Sequence, residues 1–190
     1  MKRNFLTAVW FTLVTTLLFG VLYPLTVTGL SQVLFPKQAN GQLVEKNGKV
    51  VGSAIIGQSF TGRGYFHSRP SNAGTGYDAT ASSGSNLAPT NRLLIDRVKS
   101  DVQKAQAENP GVPVPVDLVT ASGSGLDPDI SPASAEFQIA RVASERHIHS
   151  DDVRTLVRKH TKDRQLSVLG EPRVNVLELN LDLDSLHPLR

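Results

Sequence analysis

FLTAVWFTLVTTLLFGVLYPLTV, running from Phe5 to Val27, is 23 residues without a charge, and nine further uncharged positions follow before Lys37. At about 1.5 Å of rise per residue the run is roughly 34 Å long as a helix, enough to cross a hydrocarbon core of about 30 Å. It predicts a transmembrane helix over residues 5–28. Lys2 and Arg3 precede it, and basic residues flanking a first span stay on the cytoplasmic side, so residues 1–4 form a short cytoplasmic N-terminus. Residues 29–190 are then one extracytoplasmic domain held at the plasma membrane, the inner membrane of the cell. A cleaved signal peptide shares the basic start, but its apolar core is only about 7 to 15 residues long. Here the run is longer and no Ala-x-Ala follows it, although Val27 and Gly29 make a weak cleavage pair. Inside the span Ala8, Thr12, Thr16 and Gly20 recur every four residues, a stripe along which another membrane helix can approach closely. The bland alternative is that threonine is simply tolerated in spans.

Past the span about 160 residues remain, enough for one compact domain and hardly for two. The chain carries 20 Lys and Arg against 17 Asp and Glu. Without Lys2 and Arg3 the balance is 18 to 17, and a near-neutral domain has no electrostatic footprint for nucleic acid. There is no cysteine, which excludes disulfides, thiolate metal sites and a cysteine nucleophile.

The polar part reads as mixed α and β. Leu43 to Ile56 predicts two short strands about Asn47-Gly48, a dipeptide that accepts positive φ at both turn centres. Thr61 to Pro89 is rich in Gly, Ser, Thr and Asn, with Tyr65, Phe66 and Tyr77 as isolated anchors, and so predicts a long irregular surface segment. Thr90 or Asn91 caps a helix running to about Glu108, with Leu94, Val98, Val102 and Ala105 inward and Arg97, Lys99, Asp101 and Lys104 outward. Pro113 and Pro115 limit Val112 to Val119 to an edge strand or extended segment. Ser131 and Pro132 start a helix carrying Ala135, Ile139, Val142 and Ala143 on one face, with Gln138 and Arg141 nearby. Another helix begins at Ser150. Alternation of Leu177, Leu179, Leu181 and Leu183 with polar residues predicts a closing strand over Val174 to Leu183.

Few residues offer chemistry. Amides in Ser122-Gly123-Ser124-Gly125 suit an anion, and Asp127 with Asp129 a cation, but a turn feeding the helix cap explains the same residues. His147, His149, Asp151 and Asp152 straddle a helix-to-helix corner, where polar side chains cap and solvate, so no metal site is assigned. A serine hydrolase built on His67 or His147 lacks the Gly-x-Ser-x-Gly elbow, and no Gly-x-x-x-x-Gly-Lys-Ser/Thr phosphate loop is present. Thr26-Val27-Thr28-Gly29-Leu30 faintly echoes a potassium filter, which needs four converging loops. A single span without an acidic residue forms no transport path alone.

Several motifs in order give the chain a family likeness. They are Val51-Gly52-Ser53-Ala54, Ile56-Gly57-Gln58, Phe60-Thr61-Gly62, Tyr65-Phe66, Ser68-Arg69-Pro70-Ser71, Tyr77-Asp78, Ser83-Gly84-Ser85-Asn86-Leu87 and Pro89-Thr90-Asn91. Further along stand Ser122-Gly123-Ser124-Gly125-Leu126-Asp127-Pro128, Ile130-Ser131-Pro132, Gln138, Arg141-Val142-Ala143 and Val174-Asn175-Val176-Leu177-Glu178-Leu179-Asn180. With these the chain resembles the C subunit of the Kdp potassium-transporting ATPase, a P-type pump. The resemblance implies an α+β protein with one N-terminal span, acting as a non-catalytic accessory subunit. Its partners would be the channel-like A subunit and the ATP-hydrolysing B subunit, with a small F subunit as an optional further neighbour. No cofactor would be bound directly; ATP and potassium would belong to the complex.

The resemblance also implies a chaperone role that raises the ATP affinity of the B subunit, with Gln138 as the nucleotide-related residue. An external domain cannot touch cytoplasmic ATP, so such an effect must be a coupling free energy passed through partner spans. A cap over the external mouth of the A subunit is the other role. Its partner or ion-admitting surface would be drawn from Arg69, Tyr77, Asp78, Asn86, Ser122, Gly123, Ser124, Gly125, Asp127 and Arg141, since irregular segments on a scaffold commonly carry recognition. Outside any pump, the alternatives are a membrane-anchored exported binding module or a hydrolase.

Overall fold

From Lys2 to Leu34 the chain is one helical rod of 33 residues whose most apolar stretch of 18 has a mean hydropathy of 2.1, and none of that stretch is buried within the protein. The computed structural model describes residues 1–189. The rod comprises α1 (Lys2–Thr15), a π-helical stretch (Thr16–Leu22) and α2 (Tyr23–Leu34). Pro24 accounts for the wide turns: it has no N–H to give the carbonyl four residues back, and its ring crowds that carbonyl, so the preceding turns open. The helix outruns the predicted 5–28 at both ends, and Phe35-Pro36 stops it. Gly20 lies beside Thr16, where an added Cβ would sit 3.7 Å from the threonine methyl.

A short helix α3 (Pro36–Ala39) leads to strands β1 (Leu43–Lys46) and β2 (Lys49–Ser53), joined through Asn47 at φ 54° and Gly48 at φ 72°. Both turn centres are left-handed, the geometry expected of Asn-Gly in a two-residue hairpin. The chain divides into two compact units, Met1–Val51 and Gly52–Arg190.

The second unit is built around α5 (Pro132–Arg146), α6 (Ser150–His160) and α7 (Val176–Leu186). Ala135, Ile139, Val142 and Ala143 of α5, Val153, Leu156 and Val157 of α6, and Val176, Leu179 and Leu183 of α7 meet in one core with Phe66, Ile130 and Val174. A small antiparallel sheet lies beside them in the order β3 (Asp129–Ile130), β5 (Arg173–Asn175), β4 (Thr161–Lys162), with Ile130 and Thr161 both opposite Val174. The Ser131 hydroxyl accepts the Ser134 N–H at 3.0 Å to start α5. His147 at φ 56° ends it as a left-handed cap. Asp151 and Asp152 occupy the first turn of α6, and Arg158, Lys159 and His160 its last, each complementing the helix dipole.

Three expectations change or narrow. The predicted strand Val174 to Leu183 is β5 followed by α7. Val176, Leu179, Asn180 and Leu183 are all buried, the i, i+3, i+4, i+7 face of a helix, and the Asn175 side chain caps it by accepting the Glu178 N–H at 3.1 Å. Helix α4 (Arg92–Glu108) stands where predicted, with Asn91 as cap. Yet its stripe of Leu94, Val98, Val102 and Ala105 is only half-buried, and Arg97 and Asp101 tuck in as a 3.0 Å ion pair. Val112 to Val119 takes the extended rather than the strand alternative, and only as far as Pro115, before a single 3-10 turn at Val116–Leu118.

Candidate functional site

Residues Arg63 to His67 cross the buried faces of α5 and α7, and side chains rather than a neighbouring strand satisfy their backbone. Asn180 accepts the Phe66 N–H at 2.9 Å and donates to the Phe66 carbonyl at 2.9 Å. Gln138 does the same one residue on, accepting the His67 N–H at 2.8 Å and donating to the His67 carbonyl at 3.1 Å. Each amide matches one residue's donor and acceptor, as a strand partner would. Arg141 donates to the carbonyls of Arg63 and Tyr65 and to Gln138 Oε1, and pairs with Glu108 at 3.1 Å. Arg146 donates to the Gly64 and His187 carbonyls and pairs with Asp184 at 2.8 Å, its side chain wholly enclosed. Burial, reinforced by the Arg141 charge, lowers the pKa of the His67 imidazole.

On that base the two irregular segments singled out in the sequence interlock. The Ser71 hydroxyl donates to the Gly125 carbonyl at 2.6 Å and accepts the Tyr77 N–H at 2.8 Å. Ser82 Oγ and the Ser83 N–H both reach the Ser124 carbonyl, at 3.0 and 2.9 Å. Arg69 and Asp127 pair at 2.8 Å, and the Tyr77 hydroxyl donates to the Arg69 carbonyl. Gly57 gives its N–H to the Leu126 carbonyl at 2.8 Å, and a Cβ there would collide with the Asp127 carbonyl. Gly125, at φ 67°, is held against Ser83 and Ala73 with no space for a side chain.

Within this platform the turn's own serines take up two amides at its end. Gly125 N–H goes to Ser122 Oγ at 2.9 Å and Leu126 N–H to Ser124 Oγ at 3.1 Å, so these two amides are turned into the turn itself. Asp129 is likewise engaged, with Arg173 at 3.2 Å and Asn175 at 3.1 Å; burial and the Asp127 charge raise its pKa. Asp117 sits at the α5 N-terminus. Burial opposes its charge, but hydrogen bonds from the Ser131 N–H and the Ser134 and Ser131 hydroxyls outweigh it and leave the carboxyl below its ordinary range. Among the described residues, no group of three or more His, Cys, Asp or Glu side chains is arranged to hold a metal ion.

The structure thus brings together Arg69, Tyr77, Ser122, Ser124, Gly125 and Asp127. Asp78 stands at the rim, holding the Thr80 N–H and hydroxyl at 2.9 and 2.6 Å. Asn86 and Gly123 are exposed, Asn86 at φ 52°. Gln138 and Arg141 are beneath, 3% and 7% exposed. Sequence reading missed Asn180, Arg146 and Asn175. The first two give only the weak signal of a polar residue on an apolar helical face, whereas Asn175 with Glu178 three residues later is a recognisable capping pattern.

The family model "KdpC: K+-transporting ATPase, c chain" matches residues 5–185. The chain belongs to the KdpC family. It is 59% identical over 189 residues to the potassium-transporting ATPase KdpC subunit of Koribacter versatilis, covering 100% of this chain and 98% of that one. The KdpC subunit of Acidobacterium capsulatum is 57% identical over 182 residues, 95% of this chain and 97% of its own. That of Rhodospirillum rubrum is 59% identical over 176 residues, 92% and 91%. The interlocked platform and the amide clasp both fall inside the KdpC match, as does nearly all of the apolar rod.

Proposed function

We propose that the chain is a non-catalytic accessory subunit of a potassium-transporting P-type ATPase, spanning the membrane once with its N-terminus inside and the Gly52–Arg190 unit outside. The observation that carries this reading is the family match from residue 5 to residue 185, which takes in the rod and the globular unit together. Lys2 and Arg3 before the rod support the orientation. Its partners are the channel-like A subunit and the ATP-hydrolysing B subunit, with a small F subunit beside them, and the stripe of Ala8, Thr12, Thr16 and Gly20 faces one of their helices.

The working surface is the platform of Arg69, Tyr77, Asp78, Asn86, Ser122, Gly123, Ser124, Gly125 and Asp127, set over the external mouth of the A subunit. A contact surface preorganised by its own hydrogen bonds loses little entropy on docking. Arg141 supports it from below. ATP affinity of the B subunit rises by coupling through the spans, typically about 1–3 kcal/mol for such linkage. Gln138 contributes by holding the platform, since its amide is already committed to His67.

Substituting Arg69→Ala and Tyr77→Phe in the assembled complex tests the surface. Weakened potassium affinity or loss of the subunit on purification is expected, and unchanged affinity with intact assembly would refute it. Protease protection on sealed vesicles tests the orientation, because cleavage of the Gly52–Arg190 unit from the cytoplasmic side would reverse it.

A further inference from the structure

All residues from Lys162 to Glu171 are exposed, and beyond the strand residue Lys162 the chain makes a hairpin whose tip stands in solvent. Gln165 and Leu169 exchange N–H and carbonyl at 2.9 Å in both directions, and the Val168 N–H reaches the Gln165 carbonyl at 3.1 Å. The tip residues Leu166 and Ser167 have φ of 52° and 63°. That left-handed turn favours Asn-Gly, and a branched side chain in it is strained. The sequence nevertheless places Leu166 there, 85% exposed, beside Val168 at 71% and Leu169 at 56%. Strain and exposed aliphatic surface bring no benefit inside this chain.

Three aliphatic side chains fall far short of the roughly 800 Å² per partner of a standard protein interface. A convex apolar tip of that size suits a deformable apolar layer. Between residues 158 and 173 stand five cations, Arg158, Lys159, Lys162, Arg164 and Arg173, against Asp163 and Glu171; Lys159 and Arg173 are held away from the tip by Asp182 and Asp129. At the hairpin base Arg164 pairs with Glu171 and Lys162 with Glu178, both in the open, and such pairs exchange readily for phosphate. Even fully extended, the 17 residues between Leu34 and Gly52 reach no farther than about 60 Å, which keeps the unit near whatever surface the rod emerges from.

We propose that the Gln165–Leu169 tip inserts Leu166, Val168 and Leu169 into the headgroup region of the bilayer, with Lys162 and Arg164 on anionic lipid phosphates, as a second and reversible membrane contact. This goes beyond the pump assignment and rests only on the rod lying in lipid.

The full chain has no cysteine, so one introduced cysteine carries one fluorophore. Leu166→Cys, labelled with an environment-sensitive dye and reconstituted in vesicles of phosphatidylglycerol and phosphatidylethanolamine, should shift its emission to the blue and be quenched by shallow nitroxide lipids. Val14→Cys in the rod should be quenched by deep nitroxides, and Thr75→Cys on the other exposed loop by neither. Quenching at Val14 but not Leu166 overturns the tip insertion alone; quenching at neither overturns the rod's membrane placement as well. Equal quenching at Leu166 and Thr75 means simple tethering and overturns it too. So does a blue shift at Leu166 that appears only with the assembled pump and resists lipid quenchers, which marks a protein partner. In the positive case Leu166→Asp with Val168→Asp abolishes shallow quenching of a label at Leu169→Cys while thermal melting is unchanged.

Discussion

Gln138 is the residue on which the buried clasp turns. Its amide serves the His67 backbone, Arg141 and the Ser134 carbonyl at once. Replacing it with Ala strands a buried donor and a buried acceptor, each costing about 1–3 kcal/mol, so Gln138→Ala should lose roughly 2–4 kcal/mol. Calorimetry should show that as a fall in Tm of roughly 5–10 °C for a chain this size. An unaltered Tm alongside a changed ATP affinity of the complex would rule out the clasp as its role. Gly57→Ala carries a related penalty, because its Cβ would run into backbone that cannot give; a loss of about 2 kcal/mol in urea unfolding is expected. Gln138 was visible in the sequence as a polar residue beside an apolar face. That its partner is an irregular segment 71 positions earlier was not, since no local pattern encodes that pairing.

At the scale of elements, α4 to α6 were readable because a start signal and an apolar period of 3.6 fall together in each. Asn91 caps α4 and Ser131 caps α5 from where the sequence put them. Helix α7 failed that reading because Leu177, Leu179, Leu181 and Leu183 satisfy period two, while Val176, Leu179, Asn180 and Leu183 satisfy 3.6. The packing of α5 and α6 decides between them, and Asn175 tips the start. Asn175 also donates to the Ala54 carbonyl at 2.8 Å and to Asp129. Asn175→Ala should therefore cost about 2–3 kcal/mol, against about 1 kcal/mol for Asn91→Ala, whose side chain makes the cap alone. Equal shifts of the two variants in denaturant midpoint would contradict this account of α7.

For the whole molecule, three groups pull the acid response in different directions, beside the Asp182 and Asp78 carboxyls that hydrogen bonds hold low. His67 titrates lower in the folded state, so the unfolded chain takes up a proton first as pH falls below about 6.5, and stability declines from there. Asp117, held low by its hydrogen bonds, adds stability that is present above the ordinary carboxylate range and lost as pH falls through its depressed value. Asp129, raised by burial, has the opposite sign: its folded form binds the proton more readily, which offsets part of the decline as acid is added. Urea midpoints between pH 7 and pH 5 should fall in the parent and flatten in His67→Gln. Asp129→Asn should steepen the loss at the acid end. A parent midpoint constant from pH 7 to pH 5 would contradict the His67 assignment.

The sequence by itself determined the apolar rod, the Asn-Gly hairpin, the capped helices, the α+β class and the family, because each depends on residues close along the chain or on motifs in fixed order. Tertiary structure alone decided that Val176–Leu186 is a helix and that the Ser68–Asn86 and Ser122–Asp127 segments lock together. It also placed Gln138 and Asn180 as stand-ins for a missing strand. Those outcomes depend on which distant backbone groups are buried together and must be satisfied, a condition that exists only once the chain has folded.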